Sequence, residues 1–563
     1  MRNRLFCASI CVFVCLIASA SAPEFPKAQA WAGRSTIVTA QGTWQKFETQ
    51  KRGEKTSLVY RESDDDGVSW SEPYSCCELP EGSWGGGATL IDKNGEVQMF
   101  FIRGRSEGAG KIPAVERFLD LWHMRSTDGR SKWTTPTRIH AGYIGAISNP
   151  IQLKSGRIVM PFGDWQSGRE RKAPIGAIDC TTIYSDDNGA TFTLSDARLS
   201  SPVTDDYNGD KVGACEPAIV ELNDGRILML MRTQAGWLYQ SMSDDGVHWS
   251  EAGPSILHSS TGPPSLLKLK DGSIFVAWNN CIMPPKVDGQ GVYAGRDALH
   301  GAIADPELKQ WKGFREIYRD PTRNLEPPKK GDRGTAYPES LPMRDGRIAI
   351  VSGQGGRRAL FYVDPKWLLE TSASDDFSRG VDDWCVFTQF GKAAGWWRNR
   401  KQGAELIAHP NRADAKVLQL NRADDTDPDG AVWNFPSGRQ GALSLRLMLR
   451  LGSTGGSIAL NDTFFDPIDS AGEKNAMFIL PLAADGKIGD AALSPDRWYG
   501  IELNWDLNAK ACKVSIDGQA ASTLELANPT QTGICYLRLR SSAKSIDAAG
   551  WIVESVKVSV SNP

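Results

Sequence analysis

Across 563 residues there are only six histidines and eleven cysteines. Neither set carries the spacing of a zinc or other metal site, so no metal or cofactor is expected. Charge of one sign is also lacking: 64 basic residues face 67 acidic ones, a formal net charge of −3. That balance removes the electrostatic case for nucleic acid as a partner. No segment is long and apolar enough to be read as a spanning helix. The apolar run Phe6–Ile17 follows Arg2 and Arg4 and precedes Ala18-Ser19-Ala20-Ser21-Ala22, the pattern of a cleaved export signal over residues 1–22. Cys11 and Cys15 lack the small residue that precedes a lipoprotein cysteine, and Cys7 comes too early. A soluble product is therefore expected, secreted or periplasmic, and monomeric. The eight cysteines beyond the signal do not form a dense disulfide framework. They read as small buried apolar residues, with a Cys512–Cys535 pair left open. Trp84-Gly85-Gly86-Gly87 reads as a loop, because no Gly-Lys-Ser/Thr follows to make a phosphate cradle.

What the chain does have is a repeated phrase. Ser63-Asp64-Asp65-Asp66-Gly67-Val68-Ser69-Trp70 recurs as Ser185-Asp186-Asp187-Asn188-Gly189-Ala190-Thr191-Phe192, and in shortened form at Ser126–Trp133, Ser243–Trp249 and Ala304–Trp311. Asp accepts from nearby backbone N–H groups, Gly supplies positive φ, and the aromatic packs the turn onto a sheet. A second family of turns places Gly before an apolar run at Lys93–Val97, Lys154–Ile158, Asn223–Ile227, Lys270–Ile274 and Arg344–Ile348, with Ala40–Trp44 as a first member. Six such turns at spacings of about 50 to 75 residues predict a six-bladed β-propeller over residues 23–372. An ordinary large β-sandwich is the alternative.

The repeats stop after Gly353-Gln354-Gly355-Gly356. Trp367–Glu370 reads as a short helix, and Ser372–Asp376 as a linker. Alternating segments then follow, such as Leu443–Leu447, Trp498–Leu503, Lys513–Gly518 and Trp551–Val558, without the Asp phrase. They predict a β-sandwich over residues 373–563, giving an all-β chain. This part resembles the jelly-roll, concanavalin-like modules attached to carbohydrate-active enzymes. Trp396 and Trp397 read as core residues in preference to a sugar-stacking loop.

The Asp phrases resemble the Asp boxes of the sialidase superfamily. Within Cys215–Arg232, Glu216 precedes a strand–turn–strand that ends on Arg232. This is similar to the sialidase segment whose Glu activates a tyrosine nucleophile and whose Arg binds the substrate carboxylate. The chemistry is coherent, since a guanidinium pairs bidentately with a carboxylate and a buried Glu takes a phenol proton. The alternative makes Glu216 a turn cap and Arg232 a structural ion pair. Arg296, in Tyr293–His300, falls where the family carries its third arginine. Tyr337, in Thr335–Leu341, falls where it carries its tyrosine. Tyr nucleophiles are a known exception to the two-carboxylate rule of glycosidases.

The N-terminal blade departs from the pattern. Arg34 stands at the place of the first arginine, but the family's Ile-Pro is missing after it. The loop before the first Asp box, Gln50–Ser57, holds no Asp, which leaves Glu54 as the replacement for the general acid. Asp164 and His140 follow strand-like segments and are further acid–base candidates, with a structural role as the alternative. Arg333, Arg357 and Arg358 are candidates for an anion-binding surface. The resemblance implies an exo-acting, sialidase-like glycoside hydrolase that takes a terminal acidic sugar from glycans. Glu216 and Tyr337 would perform the chemistry, and Arg34, Arg232 and Arg296 would hold the carboxylate. Two readings compete with it: a hydrolase or lyase on another anionic, uronic-acid-type polysaccharide, and a non-catalytic glycan-binding propeller.

Overall fold

The computed structural model describes residues 21–27, 35–105, 118–142, 144–164, 178–202, 213–282, 296–325, 334–353, 357–389, 400–489 and 491–561. Six antiparallel sheets follow one another along the first part of the chain. Blade 1 comprises Thr36–Val38, Trp44–Arg52, Lys55–Ser63 and Tyr74–Leu79. Blade 2 comprises Ser83–Ile91, Val97–Arg105, Phe118–Ser126 and Thr137–His140. In blade 3 the first strand is split into Ile144–Ile147 and Ile151–Gln152, and Ile158–Asp164, Asp179–Ser185 and Thr193–Leu194 follow. Blade 4 is Cys215–Glu221, Ile227–Arg232, Trp237–Ser243 and Gly253–His258. Blade 5 is Ser265–Lys268, Ile274–Trp278, Ala298–Ala304 and Trp311–Arg319. Blade 6 has Glu339–Pro342, Ile348–Ser352 and Ala359–Val363. The first strands of neighbouring blades touch all round the ring, the first strand of blade 1 meeting that of blade 6.

Blade 6 takes its fourth edge from the other end of the chain. Glu24 exchanges both backbone hydrogen bonds with Tyr362, at 3.0 and 2.9 Å, and its carboxylate accepts from Arg347 Nη1 at 2.6 Å. Phe25 packs on Phe361 and Tyr318 with ring centroids 5.4 and 5.7 Å away.

The second strands of blades 3 to 6 are buried at every position. They lie between two strands of their own sheet and under adjacent blades on both faces. This is why Ile158–Met160, Ile227–Met231 and Ile348–Val351 read as continuous apolar runs and not as alternation. Each large side chain so buried contributes about 1.5–3 kcal/mol.

Both turn families lie at one end of the blades. The Asp turns join third strands to fourth. Asp65 accepts from Ser69 N at 2.8 Å and from the hydroxyls of Ser69 and Ser63, while Ser63 Oγ accepts from Gly67 N at 2.9 Å. Asp187 repeats this set with Thr191 and Ser185. Gly67 has φ of 89°, and a Cβ there would come within 2.7 Å of the Trp44 ring, so only glycine fits. The Gly turns join first strands to second, and lysines staple them to one another. Lys93 Nζ donates to the carbonyl of Lys154, Lys154 Nζ to that of Asn223, and Lys270 Nζ to that of Arg344.

Two sequence readings are corrected here. Trp84–Gly87 is no loop: it belongs to the first strand of blade 2, with a register break between Gly85 and Gly87. Glycines in a strand mark a bulge as readily as a loop. Ser372–Asp375 is no linker either, but a strand paired with Val556–Ser559. The short helix is Pro365–Leu368, N-capped by Asp364.

Beyond it, an eight-stranded and a five-stranded antiparallel sheet pack face to face, around a core that includes Trp384, Trp433, Leu445, Leu503 and Trp551. Cys512 and Cys535 lie on strands of the two different sheets, and all eight described cysteines are unpaired. This sandwich packs on the propeller through one continuous apolar cluster, in which Trp278 and Phe314 of blade 5 meet Phe387, Phe464 and Tyr536. Among the described residues no helix is long and apolar enough to cross a membrane. Residues 1–20, which carry most of the expected signal, lie outside the described residues.

Candidate functional site

The end of the propeller opposite the Asp turns collects the starts of first strands and the ends of second strands. Glu216, Arg232, Arg296 and Tyr337 all emerge there. Glu216 sits where the pairing of Cys215–Glu221 with Ile227–Arg232 slips between Cys215 and Ala218. Its φ is 47°, and Tyr337, just before the first strand of blade 6, has φ of 57°. Left-handed backbone is costly for residues with a Cβ and persists where surrounding contacts over-determine it. Here it sets the side chains of Glu216 and Tyr337 at equivalent places in blades 4 and 6.

Arg232 is the hub. Its Nη1 donates to Glu216 Oε2 at 2.7 Å and to Tyr337 Oη at 3.1 Å. Its Nε and Nη2 donate to the hydroxyl of Thr261 at 3.0 and 2.7 Å. The guanidinium is buried, with 8% of its side chain exposed, and Glu216 has 13%. Arg296 approaches from blade 5: its Nη2 donates to the carbonyl of Thr261 at 2.6 Å, and its guanidinium carbon stands 5.2 Å from the centroid of the Tyr337 ring. Thr261 thus seats both arginines, one on its hydroxyl and one on its carbonyl. Below them, Asn279 Nδ2 donates to the carbonyls of Ala298 and Thr335 at 2.8 Å each, and Thr335 Oγ1 donates to the carbonyl of Arg296. These bonds tie the segment carrying Arg296 to the one carrying Tyr337.

The four residues expected to act together are therefore joined by direct contacts. Arg34 lies outside the described residues, as do Arg333, Trp396 and Trp397. Glu54 stands exposed on the hairpin between the second and third strands of blade 1, at the same end of the propeller. Arg357 pairs with Asp320 at 3.3 Å and Arg358 is exposed. Asp164 ends the second strand of blade 3, one residue beyond the position that Arg232 holds in blade 4. His140 Nε2 lies 3.5 Å from Asp164 Oδ2. A Cβ on Gly163 would stand 3.6 Å from the backbone nitrogen of Glu216, whereas Asp164, the next residue of the strand, turns to the opposite face with Phe162, on which His140 packs with ring centroids 5.4 Å apart. Thr261 is the functional residue that sequence reasoning missed. Its only signal is the Ser259-Ser260-Thr261-Gly262-Pro263-Pro264 run between blades 4 and 5. Among the described residues there is no cluster of His, Cys, Asp and Glu able to hold a metal ion.

A buried pair of arginines, one sharing an edge with a carboxylate and a phenol, has the chemistry to pair with an anion and to set a phenol near a group that can take its proton. Residues 80–350 match the family described as a BNR repeat-like domain, and this propeller is similar to those of the sialidase/BNR superfamily. It is similar to a sialidase of Micromonospora viridifaciens, 26% identical over 250 residues and 40% of this chain. The chain spans about a third, 34%, of that relative's length. Trypanosoma rangeli sialidase superposes over 96% of this chain and 92% of its own, with a TM-score of 0.40 and 13% identity. A Dyadobacter fermentans protein of unknown function superposes over 61% of this chain and 97% of its own, with a TM-score of 0.43 and 17% identity.

Proposed function

We propose that this protein is an exported, exo-acting sialidase-like glycoside hydrolase that removes a terminal acidic sugar from glycans. The observation that carries the reading is the shared Arg232 Nη1, bonded at once to Glu216 and Tyr337. Arg232 and Arg296, with Arg34, hold the sugar carboxylate. Tyr337 Oη attacks the anomeric carbon as its proton passes to Glu216, and the N–H aimed at that oxygen stabilises the negative charge developing on it. A neutral phenol also approaches an anionic sugar without the repulsion that a carboxylate nucleophile meets. The leaving glycan takes a proton from Glu54, which then takes one from the water that hydrolyses the aryl glycoside, while Glu216 returns the phenol proton to Tyr337, giving net retention. The protein works as a monomer after removal of residues 1–22.

The test is turnover of a fluorogenic α-sialoside by the protein from Pro23 onward, beside Tyr337→Phe, Glu216→Ala and Glu54→Gln. Loss of turnover in the first two supports the nucleophile pair, and loss in the third assigns the acid. A wild type that binds no sialoside and cleaves none refutes the reading. A second reading, action on a uronic-acid-type polysaccharide, is favoured by the blade 1 hairpin at this end of the propeller, which carries Glu54 and no Asp. Cleavage of a uronate panel without cleavage of the α-sialoside would select it.

A further inference from the structure

The residue after Arg296 reaches out of the propeller. Asp297 Oδ1 accepts from Arg400 Nη1 at 2.5 Å, and Oδ2 from Nη2 at 3.2 Å. Arg400 belongs to the C-terminal part of the chain, 103 residues away in sequence, in a short strand paired with Phe387–Gln389. Its guanidinium lies 3.8 Å from the centroid of the Phe387 ring, which fixes the plane of the fork. Side-chain exposure is 4% for Arg400 and 7% for Asp297, so water does not compete for the pair.

The geometry matters because Arg296 and Asp297 precede the third strand of blade 5, which begins at Ala298. No ladder of that sheet holds their backbone. The hydroxyl of Thr335 on the Arg296 carbonyl and the amide of Asn279 on the Ala298 carbonyl hold it from the propeller side. The bidentate clasp on Asp297 holds it from the sandwich side. Two hydrogen bonds in a fixed plane constrain both position and rotation of the residue they grip.

We propose that Arg400 is a positioning residue for Arg296: by clasping Asp297, the sandwich sets where the carboxylate-binding guanidinium of the propeller stands. The inference rests on the functional reading above, in which Arg296 holds the substrate's acid group. It makes the second domain part of the active-site scaffold. Displacing Arg296 weakens recognition of the acid group more than it slows the chemistry at Tyr337, whose hydroxyl is also gripped by Arg232.

The test compares Arg400→Met, Arg400→Lys, Asp297→Asn and the double variant Arg400→Met/Asp297→Asn in the full-length exported protein. Steady-state kinetics on an α-sialoside are combined with the inhibition constants of free sialic acid and its methyl ester. We expect KM to rise about tenfold in each neutralising single variant with kcat within about threefold, and the preference for the free acid over the ester to fall in step. Arg400→Lys should recover part of the loss. The double variant should lose less than the sum of the singles, because no buried charge is left unpaired. Hydrogen exchange, which needs no substrate, should quicken in peptides covering 296–300 and 335–337 and stay unchanged in blades 1 to 3. Variants that fold with unaltered KM, acid preference and exchange at 296–300 overturn the proposal. Loss of folding in Arg400→Met leaves the decision to Arg400→Lys, read in the same way. If the wild type binds no sialoside, the functional reading falls, and exchange at 296–300 alone decides whether Arg400 positions this segment.

Discussion

Replacing Thr261 with valine tests the hub of the site with the smallest change of shape. Valine keeps the branched outline but lacks the hydroxyl that accepts from Arg232 Nε at 3.0 Å and Nη2 at 2.7 Å. Hydrogen bonds to a charged group contribute about 1.5–3 kcal/mol net, and a buried donor left unpaired costs a similar amount. One such loss, expressed in transition-state binding, is roughly a 10- to 150-fold fall in kcat/KM. The backbone carbonyl of residue 261 remains, so the seat of Arg296 is untouched. The fall should therefore appear in both kcat and KM, since Arg232 contacts the nucleophile as well as facing the carboxylate. Thr261→Ser, which keeps the acceptor, should stay within about threefold of wild type. The assay is steady-state cleavage of a fluorogenic α-sialoside, with thermal melting as the check on folding. A Thr261→Val protein that melts normally and retains kcat/KM within threefold would refute the reasoning that this hydroxyl seats Arg232.

Tyr337→Phe should lower kcat by at least about a thousandfold, the scale on which losing a nucleophile acts, while substrate-protected melting persists. The carboxyl of Asp187 is held down to about 2, chiefly by the Thr191 hydroxyl and also by the Thr191 backbone N–H and the Ser185 hydroxyl. Its folded value lies below its unfolded value, so its contribution is complete above pH 4 and is lost as pH falls toward 2. Asp187→Asn should accordingly flatten the acid limb of a melting-against-pH curve without changing KM. Asp429 has the opposite sign: burial pushes its carboxyl up to about 7. Its favourable contribution is complete below pH 4 and lost as pH rises through 7, so Asp429→Asn should stabilise the protein at pH 8, by up to about 4 kcal/mol, and do nothing at pH 4. Parallel melting curves of variant and wild type across that range would contradict it.

Much of the fold was legible because its signals are local. Each Asp turn satisfies its own hydrogen bonds within five residues, as Asp65 does with Ser63 and Ser69, so the phrase keeps its meaning wherever it occurs. The Gly turns mark the first hairpin of each blade for the same reason. Glycine misled where its signal is ambiguous: in Trp84–Gly87 it relieves a strand at a bulge. The pairing of Ser372–Asp375 with Val556–Ser559 depends on partners nearly two hundred residues away and left no local mark. Glu216, Arg232, Arg296 and Tyr337 were legible through their order along a recognisable pattern, and the structure brings those four together. Thr261 and the Arg400–Asp297 clasp were not, since their meaning arises only when blade 4 meets blade 5, or one domain meets the other.

The exchange of hydrogen bonds between Glu24 and Tyr362 has a kinetic consequence. Arg347, which also grips Glu24, lies 323 residues from it. Joining two points that far apart in a flexible chain costs on the order of 5 kcal/mol in entropy. The blades can each form from local hairpins, but this seam closes only when Glu24 finds a sheet made near the end of the propeller. Until then the Ala359–Val363 strand is a bare edge, able to recruit an identical segment from another molecule. Slow refolding, and loss to aggregation that grows with protein concentration, should thus trace to this one seam, and a peptide spanning residues 21–27 should compete for it.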